Sequence, residues 1–233
     1  MHSEVAHLEL LAEIDTLTRA LQRWSGAAPS WQQAQVCGAL IRQLLERAGT
    51  VRVRLEAPLI VATLGGTGTG KSALINALVG RELVASGRQR PTTHRPTLIC
   101  RENLTPDLLG IDPASVDLVH GDSPALSDLV LIDCPDPDTS ETAEDAETNL
   151  ARLRRILPHC DVLIITATQQ KYRSARVAEE LAAAAPGARL VFVQTHADTD
   201  DDIRNDWQAV LGDQYEPGHL YRIDSLAALA DSQ

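Results

Sequence analysis

The run Gly65-Gly-Thr-Gly-Thr-Gly70-Lys71-Ser72 satisfies the spacing G-x-x-x-x-G-K-[ST] in full. It follows an apolar stretch, Leu59–Leu64, and opens a helical pattern, Ser72–Val79. Glycines let a backbone wrap closely around a phosphate and turn several N–H groups inward. The start of the helix adds partial positive charge at the same place. The Lys71 ammonium can then meet the β- and γ-phosphates, and the Ser72 hydroxyl can ligate Mg²⁺. Gly66, Thr67, Gly68, Thr69, Gly70, Lys71, Ser72 and Ala73 are therefore the expected phosphate-binding residues. The competing reading is a glycine-rich turn with a chance Lys-Ser. The chemistry indicated is that of a nucleoside triphosphate, and the loop alone does not name the base.

Gly70-Lys-Ser-Ala-Leu-Ile-Asn76-Ala-Leu-Val-Gly80 resembles the G-K-S-x-L-[IL]-N-x-L-x-G run of GTPases of the Era, TrmE and dynamin type. Other segments resemble the remaining motifs of that group, in the same order. Pro91-Thr92-Thr93-His94-Arg95 resembles the first switch, whose threonine completes the Mg²⁺ shell in the GTP state. Either Thr92 or Thr93 fits that role, and a plain exposed polar loop is the alternative. Leu129–Asp133 with Cys134-Pro135-Asp136 resembles the strand followed by D-x-x-G. The resemblance implies that Asp133 holds Mg²⁺ through water. Asp136 stands where that pattern has Gly. It keeps a backbone N–H for the γ-phosphate but brings a carboxylate towards other anions, which is unfavourable in a low dielectric. No Gln follows to position an attacking water. Lys71, Thr93 and Asp136 are the residues on which hydrolysis is expected to turn.

Leu190–Thr195 with His196-Ala197-Asp198 resembles the strand leading to [NT]-K-x-D. There the Asp carboxylate accepts two hydrogen bonds from the guanine edge, a pair that adenine cannot donate. Thr195 and Asp198 match, while His196 replaces the Lys whose stem lies on the base; an imidazole can stack in its place. The competing reading makes Asp198–Asp202 a run of helix-capping residues. Tyr221–Ala227 resembles the S-A-[KL] loop that meets the guanine carbonyl through a backbone N–H, which adds Ser225 and Leu226. The resemblance spans Pro58 to about Leu229. It implies GTP or GDP as ligand, Mg²⁺ as cofactor, slow hydrolysis of GTP to GDP and phosphate, and a possible homodimer through this domain. An ATPase and a non-hydrolysing, nucleotide-dependent adaptor are the alternatives.

Short apolar runs separated by helical patterns must position these residues. Strands are expected at Leu59–Leu64, Thr97–Arg101, Val116–Val119, Leu129–Asp133, Val162–Thr166, Leu190–Thr195 and Leu220–Ile223. Helices are expected at Ser72–Val79, Ala146–Leu157, Ser174–Ala184 and Asp202–Leu211. This alternation reads as an α/β fold, three layers around a mostly parallel sheet in the manner of P-loop NTPases. Such sheets bind ligands at the carboxyl ends of their strands. Residues 1–50 read instead as an N-terminal helical hairpin, leaving 51–233 as the nucleotide-binding domain. Val51–Leu55 fits either a short strand or the end of the second helix.

Composition sets outer limits. Hydrophobic residues make up 44% and charged residues 23% of the 233, which is ordinary globular usage. The net charge of −11 argues against broad nucleic-acid binding and against an anionic membrane surface. Four scattered cysteines contain no C-x-x-C pair, so neither a zinc site nor a disulfide framework is expected, and the default compartment is the reducing cytoplasm. No apolar run is long enough to span a bilayer, so membrane contact is expected only through segments outside this sequence, which reads as a possible fragment of a longer protein.

Overall fold

The computed structural model describes residues 2–27, 32–87, 95–136, 149–172, 187–212 and 219–232. The chain divides into two compact units, Met1–Pro58 and Leu59–Gln233.

In the first unit, α1 (His2–Ala27) packs on α2 (Gln32–Glu56). Arg52 Nε lies 3.2 Å from Asp15 Oδ1 across that contact. Helix α2 runs through Val51–Leu55, which decides the reading that the alternating sequence left open. It stops before Ala57-Pro58, because the residue preceding a proline disfavours the α conformation.

The second unit is built on a seven-stranded sheet. Its strands are β1 (Leu59–Leu64), β2 (Thr97–Cys100), β3 (Asp117–His120), β4 (Leu129–Asp133), β5 (Val162–Ala167), β6 (Arg189–Gln194) and β7 (Leu220–Arg222). They lie in the order β3-β2-β4-β1-β5-β6-β7, and only the β2–β4 pairing is antiparallel. The described helices are α3 (Lys71–Val79), α4 (Asn149–Ile156), α5 (Arg204–Leu211) and α6 (Ser225–Asp231). The fold class is therefore the one the sequence indicates. The expected helix over Ser174–Ala184 lies outside the described residues. Four 3₁₀ turns that the apolar periodicity does not announce occur as well, each carrying Pro in its first two positions.

Strand β1 is apolar along nearly its whole length because both sheet faces are covered. Ile60, Ala62 and Leu64 enter one core with Trp207 of α5, whose indole meets Phe192 edge-on at 5.6 Å. Val61 enters the opposite core with Leu74, Ile75 and Val79 of α3. That second core anchors the helix carrying Lys71 and Ser72.

Asn76 is a fully buried polar residue on α3. Its Nδ2 donates to the Val84 carbonyl at 2.8 Å, and its Oδ1 accepts from the N–H groups of Leu83 and Val84 at 2.9 and 3.1 Å. Asn76 thus holds the chain that leaves the helix beyond Gly80. Asn76→Ala is expected to lower unfolding free energy by about 2–3 kcal/mol, because buried backbone groups lose their partner. Urea denaturation followed by circular dichroism measures it.

Candidate functional site

Five adjacent parallel strands, β4-β1-β5-β6-β7, end on one side of the sheet. The segments leaving them surround a cavity of about 580 Å³. Its wall includes Thr67, Gly68, Gly70, Lys71, Ser72 and Ala73 after β1, and Asp136 after β4. It also includes Lys171 after β5, Thr195, His196 and Asp198 after β6, and Ser225 and Leu226 after β7. Expected site residues 128 positions apart in sequence, Gly70 and Asp198, thus face one space. Thr92 and Thr93 lie outside the described residues.

The phosphate-loop backbone is shaped by contacts that only glycine permits. At Gly65, φ is +156°, and a Cβ there would sit 2.4 Å from Thr166 Oγ1 and 2.6 Å from the Thr166 carbonyl oxygen. Thr69 turns inward: its Oγ1 donates to the Gly66 carbonyl at 2.9 Å and lies 2.8 Å from Thr166 Oγ1. Thr195 braces the loop from β6, its Oγ1 donating to the Thr69 carbonyl at 2.8 Å. Gly66, Thr69 and the Thr195 hydroxyl therefore shape the loop, while Thr67, Gly68 and Gly70 face the cavity.

Lys71 Nζ donates to the carbonyls of Gly65 (2.8 Å) and Gly66 (3.2 Å) and is largely buried. Burial lowers its pKa, and the nearby Asp133 and Asp136 carboxylates pull the other way. An anion entering the cavity restores what burial removes. Ser72 Oγ donates to Asp133 Oδ2 at 2.6 Å, so the two expected Mg²⁺ ligands already lie side by side. Their all-oxygen chemistry fits Mg²⁺, which takes few protein ligands and relies on water and phosphate for the rest. Among the described residues no group of three or more His, Cys, Asp and Glu forms a separate metal cluster. The neighbouring Cys134 is fully buried, and burial pushes its thiol well above the ordinary range, so it stays protonated and is not a nucleophile.

Asp136 is buried beside the phosphate loop. Its carboxylate accepts from the Thr67 hydroxyl, and Asn149 Nδ2 donates to its carbonyl at 3.3 Å. The residue standing in the glycine position is thus seated on the loop itself.

At the far end of the cavity, the acidic run after β6 separates by role. Asp202 stands just before Ile203, the N-cap of α5, and its Oδ1 accepts from the Arg204 N–H at 3.1 Å. The Arg204 guanidinium holds that carboxyl at about 2. Asp200 and Asp201 accept from Gln169. Asp198 faces the cavity and has no hydrogen-bond or ion-pair partner among the described residues. His196 adopts φ +57°, and its Cε1 lies 3.5 Å from where a Gly70 Cβ would be, so the imidazole leans on the phosphate loop. Asp224 caps α6 and takes the N–H groups of Leu226 and Ala227, both at 3.0 Å. The Leu226 N–H is therefore occupied, and Ser225 offers the donors instead. Its Oγ is buried without a partner among the described residues.

Arg95, at the end of the segment that resembles the first switch, is not on the cavity wall; its Nη1 lies 3.5 Å from Asp117 Oδ1 and its Nη2 donates to the Ala114 carbonyl. Sequence reasoning missed Lys171, Thr168, Gln170, Ser86, Gly87, Cys134, Asp200 and Asp224 on the wall. Positions after β5 belong to none of the motifs, so only the strand order places them here.

The profile of the family described as 50S ribosome-binding GTPase matches residues 60–195, more than half of the chain. The chain belongs to this GTPase family. No curated protein sequence matches it. Among solved structures, this chain resembles Era in complex with MgGDPNP and nucleotides 1506–1542 of 16S ribosomal RNA. The TM-score is 0.51 at 14% identity, over 73% of this chain and 52% of that one. It also resembles a chain from an oligomerised bacterial dynamin pair described as sensing and tethering membranes. There the TM-score is 0.57 at 13% identity, over 99% of this chain and 40% of that one. At such identities these likenesses establish the fold. The chain spans about half the length of the first relative and two-fifths of the second.

Proposed function

We propose that the second unit binds GTP with Mg²⁺ and hydrolyses it slowly to GDP and phosphate. The observation that carries this reading is the unpartnered Asp198 carboxylate facing the same cavity as Lys71. A solvent-facing carboxylate acceptor pair on the wall of the cavity that the phosphate loop also lines matches the N–H and NH₂ edge of guanine. The Ser225 N–H and orphaned Oγ beside it are suited to the guanine carbonyl.

At the other end, inward N–H groups of the loop and the Lys71 ammonium bind the phosphates. Ser72 and Asp133, with Thr92 or Thr93, would hold Mg²⁺, which when bound neutralises charge on the β- and γ-phosphates. Water oxygen attacks the γ-phosphorus, the bond to the β–γ bridging oxygen breaks, and GDP leaves with that electron pair. The water protons end on the released phosphate and solvent. Release of the γ-phosphate frees the segment that resembles the first switch and the one that follows Asp133.

Equilibrium titration of labelled GDP against labelled ADP tests the base assignment; tighter ADP binding overturns it in favour of an ATPase. Asp136 supports a second reading, a nucleotide-dependent adaptor that does not turn over. Phosphate release by the wild type at the Lys71→Ala background, with GTP still bound, would establish it. Whichever holds, the Asp136 charge opposes the γ-phosphate more than it opposes GDP. Asp136→Asn is expected to raise the ratio of GTP to GDP affinity about tenfold, which calorimetry with a slowly hydrolysed GTP analogue measures.

A further inference from the structure

Lys171 lines the cavity yet belongs to no motif of the phosphate loop, the metal site or the base pocket. It sits in a turn that the fold fixes from several sides. The N–H groups of Lys171 and Tyr172 both donate to the Thr168 carbonyl at 3.0 Å. Tyr172 is buried in the core. Gln169 N–H and Nε2 donate to Asp200 Oδ2 (2.8 Å) and Asp201 Oδ2 (3.1 Å), which ties the turn to the segment carrying Asp198. Held in this way, Lys171 Nζ donates to the Thr67 carbonyl.

Two lysines thus reach the same loop from different elements. Lys71 takes the Gly65 and Gly66 carbonyls and Lys171 takes the next one, at Thr67. The two ammoniums repel: burial lowers the proton affinity of Lys71, the Asp133 and Asp136 carboxylates pull the other way, and Lys171 lowers it further. Thr67 is also where Asp136 binds, through the threonine hydroxyl. Lys171 and Asp136 therefore meet the loop at one residue. Two cations converging on one carbonyl-lined bend leave a place for an anion carrying more than one charge.

We propose that Lys171 is a second phosphate-binding cation, an ammonium supplied in cis to the terminal phosphate of the nucleotide. The inference rests on the nucleotide-binding reading above. As the γ-phosphate enters, Nζ leaves the Thr67 carbonyl for a phosphate oxygen, and its charge also offsets the Asp136 carboxylate. During hydrolysis it transfers no proton; it stabilises the negative charge that grows on the oxygens around the breaking P–O bond. Arg95, held by Asp117 and the Ala114 carbonyl, is not on the cavity wall, so Lys171 is the cation placed for this role.

The test compares wild type, Lys171→Ala, Lys171→Gln and Lys171→Arg for binding of GDP and GTPγS and for single-turnover GTP hydrolysis. The Ala and Gln variants should bind GDP within about threefold of wild type and lose about tenfold or more for GTPγS. Their hydrolysis should slow about a hundredfold, and Lys171→Arg should recover most of both losses. Unchanged GTPγS binding, or an equal loss for GDP and GTPγS, would overturn the proposal while leaving the nucleotide site standing. A wild type that binds neither nucleotide would overturn the site itself and Lys171 with it. Melting temperatures guard against loss of fold, and if the Ala variant is destabilised, Gln carries the comparison.

Discussion

Lys71→Ala is expected to weaken binding of GDP and GTP by about a thousandfold without unfolding the protein. Lys71 Nζ sits against the Gly65 and Gly66 carbonyls, in the mouth of a loop whose other donors are backbone N–H groups. A charge pair at contact distance in partly desolvated surroundings is worth about 4 kcal/mol at an effective dielectric near 20. That corresponds to about three decades in affinity. The fold should survive, and the sign of the pKa shift says why. Burial lowers the pKa of Lys71 in the folded chain, so the folded state holds this proton less tightly than the unfolded one. Below that folded pKa the charged lysine therefore opposes folding, and removing it takes no such stabilisation away. Titration of a fluorescent GDP analogue together with a thermal melt checks both halves. A variant that binds GDP as the wild type does would remove the phosphate loop from the account.

Asp198→Asn should cost about a hundred- to thousandfold in GDP affinity and transfer the preference to xanthosine diphosphate. A carboxylate presents two acceptors, matching the guanine N1–H and exocyclic amino group. An amide presents one acceptor and one donor. Its NH₂ then faces the guanine amino group, so one bond is lost and two donors confront each other. Xanthine carries a carbonyl where guanine has the amino group, and the pairing is restored. The lost hydrogen bond to a charged group is worth roughly 1.5–3 kcal/mol and the confronted donors add about 1 kcal/mol, together about two to three decades in affinity. Because Asp198 has no partner among the described residues, little of the change should appear as altered stability. Competition of guanosine and xanthosine diphosphates for the wild type and the variant reads the swap. Equal affinities of the wild type for both bases would sink the assignment of Asp198 to base recognition.

The contiguous motifs were legible because their chemistry is local. Gly65–Ser72 declares a phosphate loop through spacing alone, and the apolar runs on either side declare a buried strand and a core-facing helix. The seven strands follow from short stretches rich in Val, Ile and Leu. Less visible was the division of labour inside each motif. Thr195 and Asp198 belong to one resemblance, yet the Thr195 hydroxyl is spent bracing Thr69, and only Asp198 presents its group to the cavity. The acidic run after β6 likewise separates into a partner of Arg204, two acceptors of Gln169 and a carboxylate without a partner among the described residues only once Arg204 and Gln169 are in place.

What the sequence by itself determined is the kind of ligand and the kind of fold. Phosphate chemistry needs particular residues at fixed spacing in one turn, and a sheet covered on both faces needs continuous apolar strands. What only the tertiary structure decided is which distant side chains share the cavity: Asp136 on the Thr67 hydroxyl, and Lys171 on the Thr67 carbonyl from a turn after β5. The physical reason is that parallel strands bring their carboxyl ends together whatever their separation in the chain. Neighbourhood at the site therefore follows the strand order β4-β1-β5-β6-β7, which no local pattern of residues encodes.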